Sequence, residues 1–275
     1  MYKLTRVFTI LAITLFAFVV LGSTLAAASS TNSIQAAAIA ETAITKPAVI
    51  DTAAWDTQFG LPPSGNGVDG EVVAIAEDSN GNLYVGGAFN QVGSTTAHNI
   101  AMWDGSGWHA LIDGNGWNGV SGDVWAIAID PASGDVYMGG IMARIDGNNA
   151  GPLACRIARW SPSTSTWSTL TDGNGFVGTD GSIYALEIIG NELFVGGSFS
   201  GVATSGSCGT LNVNAPALAS WNINSDMWSD VGGSMDSPFP SVSALTSDGS
   251  NLFASGWFST AGGVAVGNVA QWDGS

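Results

Sequence analysis

The side chains able to do chemistry in this 275-residue chain are mostly carboxylates: 22 Asp and Glu stand against 6 Lys and Arg and 2 His. Two segments repeat a short acidic motif, LIDGNGWNG from Leu111 and LTDGNGFVG from Leu170. Asp113, Asn115, Asp172 and Asn174, with the carbonyls of a glycine turn, are hard oxygen donors of the kind calcium takes. Trp117 and Phe176 stand where the EF-hand pattern would carry a further acidic or amide ligand. The other reading is a tight turn in which Asp113 and Asp172 bond their own backbone. The two aromatics then either offer platforms for sugar rings or plug gaps between neighbouring sheets. Asp146 adds a carboxylate in a variable loop. These residues are the candidate ligand-binding set, with Asp113 and Asp172 as candidate calcium ligands and no other cofactor indicated.

Catalytic constellations are scarce. The two histidines are His98, in a loop, and His109, on a strand, so a hydrolytic triad lacks a base brought to its nucleophile. Arg144, Arg156 and Arg159 crowd into one stretch, where ion pairing with the many acids is the simpler expectation. A hydrolase using carboxylates alone, with a pair such as Asp113 and Asp172 converging, remains the enzymatic alternative.

The elements that must position these residues are set by a repeat. The phrases VVAIAEDSNGNLYVGGAFN, VWAIAIDPASGDVYMGGIM, IYALEIIGNELFVGGSFS and VSALTSDGSNLFASGWFS begin at Val72, Val124, Ile183 and Val242. A self-similarity of about 50 to 60 residues marks a modular array. Each phrase is followed by a second one, NIAMWDGSGW from Asn99, RIARWSPSTSTW from Arg156, ALASWNINSDMW from Ala217 and NVAQWDGS from Asn268. Each unit therefore reads as strands A and B around a tight turn, a variable loop, and strands C and D around a second turn. Strand B carries the double glycine, where a strand without side chains permits close backbone approach. Strands C and D carry the tryptophan pairs Trp103/Trp108, Trp160/Trp167 and Trp221/Trp228, which fill the space between sheets. The fold class expected is all-β, a β-propeller of four-stranded antiparallel blades with four blade repeats visible.

The order of double glycine, aspartate after an aromatic (Trp103-Asp104) and later tryptophan (Trp108) resembles the kelch and galactose-oxidase class of propellers. The likeness is greater to the GGxF…NIAxWDGxxW repeats of fungal cortical polarity proteins and of uncharacterised bacterial secreted propellers, and it spans Trp55 to Ser275. It implies a fold rather than an activity: the copper radical site of the oxidases needs two histidines and two tyrosines around the metal, and nothing brings His98 and His109 together. Trp103-Asp104-Gly105-Ser106-Gly107-Trp108 sits where sialidase Asp-boxes sit, one residue shorter between Asp and Trp, so that family is not carried over.

Two breaks in the repeat locate further expectations. The loops between strands B and C are equally short in the first and fourth units, whereas the second and third carry insertions holding Cys155 and Cys208. A disulfide between the insertions is the economical reading for an exported chain, with two free or metal-binding thiols as the alternative. In a four-stranded meander the B–C and D–A connections share one face, and here they are the long, variable ones. Long loops on a rigid scaffold are where binding resides. Asp69, Asp113, Asp123, Asp146, Asp172, Asp180 and Asp236 all fall in them.

Lys3 and Arg6 precede an apolar run over Val7–Leu21, and Ala26-Ala27-Ala28 offers a small-residue cleavage site, which reads as a secretory signal over 1–28. Residues 29–54, rich in Ala, Thr and Ser, read as a flexible leader. Signal removal leaves four cations against 22 acids, so nucleic acid is excluded as a partner and no membrane span is expected in the mature chain. The propeller is expected over 55–275, with an orphan D strand over 55–71 opened by Trp55. That strand either completes the fourth blade of a closed four-bladed ring, or the chain is part of a larger propeller. The function expected is non-catalytic, secreted or cell-surface binding of a protein or glycan through the long-loop face. A purely structural envelope module is a further alternative.

Overall fold

The computed structural model describes residues 58–60, 65–204, 207–233 and 235–274, all within the unit Ala53–Ser275. The expected signal, the leader and Trp55 lie outside the described residues. Among the described residues the chain is all-β, and no helix is long and apolar enough to cross a membrane.

Four antiparallel sheets follow one another in sequence, each strand lying beside the next. The first holds β1 (Glu71–Glu77), β2 (Leu83–Ala88), β3 (Ile100–Trp103) and β4 (Trp108–Ala110). The second holds β5 (Val124–Ile129), β6 (Val136–Gly140), β7 (Ile157–Ser161) and β8 (Thr166–Thr169). The third holds β9 (Ser182–Ile189), β10 (Glu192–Ser198), β11 (Leu218–Asn222) and β12 (Met227–Asp230). The fourth has three strands, β13 (Ser241–Ser247), β14 (Leu252–Trp257) and β15 (Val269–Trp272). Aspartates close the short turns by accepting backbone N–H groups two to four residues ahead, as Asp78 does from Asn80 and Asn82 at 2.8 and 2.9 Å. Asp104 does the same from Ser106 and Gly107, both at 2.8 Å.

The double glycines have two separate steric causes. A Cβ on the second glycine of each pair would strike the sheet's own first strand, 1.9 Å from Glu71 O at Gly87 and 2.0 Å from Asp123 O at Gly140. A Cβ on the first would strike the next sheet: 2.5 Å from Val124 Cγ1 at Gly86, 2.5 Å from Ile183 Cγ2 at Gly139 and 2.6 Å from Val242 Cγ1 at Gly196. Each of the first three sheets thus offers a notch that the opening Val or Ile of the following sheet fills. Around these interlocks lie three shared cores, which join Tyr84 and Ile100 to Trp160 and Trp167, Tyr137 to Trp221 and Trp228, and Phe194 to Trp272. The tryptophans also bond across sheets: the indoles of Trp167 and Trp228 donate to Leu111 O and Leu170 O, both at 2.9 Å.

The long connections are more regular than the sequence implies. Val120–Ser121 pairs with Arg144–Ile145, Phe176–Thr179 with Gly201–Thr204 and onward to Ser207–Asn214, and Met235–Asp236 with Thr260–Ala261 and onward to Val264–Ala265. Each D–A link therefore ladders onto the B–C connection of the sheet it leads into. Backbone polar groups next to packed sheets must find partners, and a ribbon supplies them.

At both ends of the array a surface that is buried between inner sheets lies open. Val72 is 42% exposed, whereas its counterparts Val124, Ile183 and Val242 are fully buried. Val269 on β15 is 61% exposed, whereas Ile100 and Ile157 are fully buried and Leu218 nearly so. Phe59 covers part of the first sheet, meeting Trp103 edge-on at 5.1 Å.

Candidate functional site

The D–A and B–C connections gather at one end of the array, and the carboxylates singled out from the sequence lie there as parts of the turns. Asp113 Oδ1 accepts from Asn115 N at 2.9 Å and Trp117 N at 3.0 Å, while Oδ2 accepts from the Asn115 side chain at 3.1 Å. Asp172 Oδ1 accepts from Asn174 N and Phe176 N at 2.8 and 2.9 Å, and its Oδ2 is buried without a hydrogen bond. Asp146, in the left-handed region at φ 73°, joins two loops by accepting from Asn118 N and Ala150 N, both at 3.3 Å. All three carboxylates are buried, whereas Asn115 and Asn174 are exposed residues at the loop tips. Trp117 and Phe176 are half-buried against the cores between the first and second sheets and between the second and third. The arrangement is the self-bonded turn, with its aromatic used as a plug. Among the described residues no group of three or more His, Cys, Asp or Glu is placed to hold a metal ion.

Cys155 and Cys208 form a disulfide with their Cα atoms 5.2 Å apart, joining the insertions of the second and third units. The arginines beside it serve the same loops: Arg144 donates to Gly151 O at 2.9 Å, and Arg156 donates to Ile141 O at 3.3 Å. Arg159 lies 3.8 Å from Asp135 and bonds Ser168 at 2.9 Å. His98 faces Asn90 at 3.2 Å and His109 faces Asp104 at 2.7 Å, each with a different partner.

Two features of this end were not singled out from the sequence. The first is an open cleft of about 530 Å³ between the third and fourth sheets. Phe199, Pro216, Asp236, Pro238, Phe239 and Pro240 line it, and Phe239 is 85% exposed. The second is a bulge that recurs at the loop end of every A strand. Pairing slips between Val72 and Ala74, Val124 and Ala126, Ile183 and Ala185, and Val242 and Ala244. The residues in the bulges are Val73, Trp125, Tyr184 and Ser243. Bulges re-aim side chains and gather beside functional sites. The sequence held a signal for them, since this position alone changes character within the otherwise steady Val/Ile-x-Ala-Ile/Leu phrase.

No protein-family model matches the chain, and no curated protein matches it. Among solved structures, the computationally designed protein Ika4 is 15% identical with a TM-score of 0.42, over 75% of this chain and 93% of its own. The extracellular domain of a one-component system from B. thetaiotaomicron is 13% identical with a TM-score of 0.40, over 73% of this chain. PorZ, a surface component of the type-IX secretion system of Porphyromonas gingivalis, is 16% identical with a TM-score of 0.40, over 74% of this chain. The chain spans only 20% and 26% of the latter two proteins. At these scores the likenesses assign neither a topology nor an activity.

Proposed function

We propose that the four sheets are successive blades of a β-propeller of the kelch-like kind, secreted or held at the cell surface, which binds a protein or glycan through its long-loop end without catalysing a reaction. The sheets interlock in sequence, notch to opening residue, as blades do. The disulfide supports an oxidising compartment.

The observation that carries the binding reading is the cleft around Phe239. Phe239, exposed at 85%, stands beside three prolines and the carboxylate of Asp236, which gives the cleft an apolar wall with a polar group beside it, as ligand clefts have. The carboxylates with displaced titration lie in the short A–B and C–D turns, at the end opposite the long loops. Asp104 is held well below the ordinary carboxylate range by the Ser106 hydroxyl and the N–H groups of Ser106 and Gly107. Asp248 is lowered by the Asn251 side chain and the N–H groups of Asn251 and Ser250. At Asp78 slight burial pushes upward, but hydrogen bonds from Asn82 and Asn80 prevail and lower it.

The test is a glycan array and a panel of purified surface proteins, probed with the full chain and with Phe239→Ser. Binding by the parent that falls about tenfold or more in the variant is expected. A parent that binds nothing in either panel overturns the proposal.

A further inference from the structure

We propose that the bulge residues Trp125 and Tyr184 form the recognition platform of this end of the molecule, and that its ligand is a neutral saccharide. The inference rests on the binding function proposed above and gives that site its ligand class.

The two rings come from neighbouring sheets and stack with centroids 5.6 Å apart and planes 28° from parallel. They belong to none of the hydrophobic cores. Trp125 is half-buried and Tyr184 is 36% exposed, so the pair stays open to solvent. Other large aromatics at fixed places in the repeat face inward: Trp160, Trp167, Trp221 and Trp228 are all buried between sheets. A packing role therefore does not account for aromatics at two of the four bulges, when valine and serine serve at the other two.

The polar tips decide the ligand class. The indole N–H groups of Trp108, Trp167 and Trp228 each donate to a backbone carbonyl, and those of Trp221 and Trp272 are sealed in the packing without a partner among the described residues, out of reach of any ligand. Those of Trp125 and the hydroxyl of Tyr184 make no hydrogen bond among the described residues. Two residues before each ring stand Asp123 and Ser182, whose side-chain oxygens are likewise unbonded. The platform thus offers flat apolar faces, two donors and a carboxylate acceptor. A pyranose ring matches all three, with C–H faces to stack and hydroxyls that both donate and accept. An ammonium or guanidinium group would satisfy the rings and Asp123 but has no acceptor for the indole and phenol donors. Anionic glycans are disfavoured by a chain with 22 acids against 6 cations. The cleft lies on the same sheet end as Tyr184: Ser182, two residues before that ring, is the register partner of Ser198, which lines the cleft. An oligosaccharide can therefore run from the stacked rings towards Phe239.

The experiment is calorimetric titration of the full chain with cellohexaose, maltohexaose, laminarihexaose and chitohexaose, and with hexalysine. At least one hexasaccharide should bind, hexalysine should not, and Trp125→Ala and Tyr184→Ala should each weaken binding about tenfold or more. Trp125→Phe and Tyr184→Phe keep the rings and remove the donors, so each should weaken binding less than its alanine counterpart does, which guards against a folding defect in the alanine variants. If saccharide binding survives Trp125→Ala unchanged but is lost in Phe239→Ser, the platform is wrong while the broader binding function stands. Hexalysine binding without saccharide binding overturns the ligand class, and no binding to any hexasaccharide overturns the inference.

Discussion

Asn99, Arg156, Ala217 and Asn268 stand at the same point in the four units, just before the C strand, with φ of 64°, 78°, 64° and 63°. A side chain in this left-handed region costs about 1 kcal/mol, least for Asn. Asn99 fits for a second reason: its Oδ1 accepts from Phe89 N at 3.1 Å and its Nδ2 donates to Val120 O at 2.8 Å. Asn268 makes only the first of these bonds, at 3.4 Å. Asn99→Ala should therefore destabilise the fold by about 2 to 3 kcal/mol, combining backbone strain with two lost hydrogen bonds. Asn268→Ala should cost less. Asn99→Gly removes the strain and keeps the loss of the bonds, so its urea midpoint should fall between those of the parent and Asn99→Ala. The sequence shows the asparagine in NIAMW and NVAQW, but its φ and its partner ten residues back are visible only in three dimensions.

At the scale of elements, the notch between sheets is the joint of the array. Gly139→Ala would place a methyl 2.5 Å from Ile183 Cγ2. Overpacking of this kind costs about 1 to 3 kcal/mol. Ile183→Ala alone should destabilise by about 2 to 5 kcal/mol through the cavity it leaves. The double variant should be more stable than the two losses added together predict, because the new methyl enters the space Ile183 vacates. Denaturant titrations of the four proteins in a double-mutant cycle read this coupling, and simple additivity would show that the two sheets do not meet through this pair. The fourth sheet carries Ser255 where the other three carry Gly86, Gly139 and Gly196, so its outward face lacks the notch.

At the scale of the whole molecule, the Cys155–Cys208 disulfide closes a loop across 53 residues and ties the second unit to the third. The chain-entropy account assigns a loop of that size about 4 kcal/mol at 25 °C. Cys155→Ser with Cys208→Ser should lower stability by about that amount, and reductant should reproduce the change in the parent but leave the double variant unaltered. Equal urea midpoints with and without reductant in the parent would show that the bridge fastens loops without stabilising the array.

The sequence by itself determined the periodic part of this protein: four repeats, their four-strand order with one strand missing from the last, and the tryptophan pairs. It also indicated the bridge between the two insertions, because repetition exposes any local break. It did so because a pattern of apolar residues, glycines and turn aspartates acts through neighbours a few residues away. Only the tertiary structure decided what the breaks mean. For Asp113 and Asp172 the letters leave open a ligand or a turn, and in space one oxygen of each closes its own turn, while Asp146 accepts from the neighbouring loop. Trp125 and Tyr184 look like two more apolar strand residues, yet a bulge turns them out of the core and brings together rings 59 positions apart in sequence at 5.6 Å. The same holds for the surfaces of the first and last sheets, whose apolar residues match buried counterparts letter for letter. Exposure is a property of what packs alongside, which no single repeat encodes.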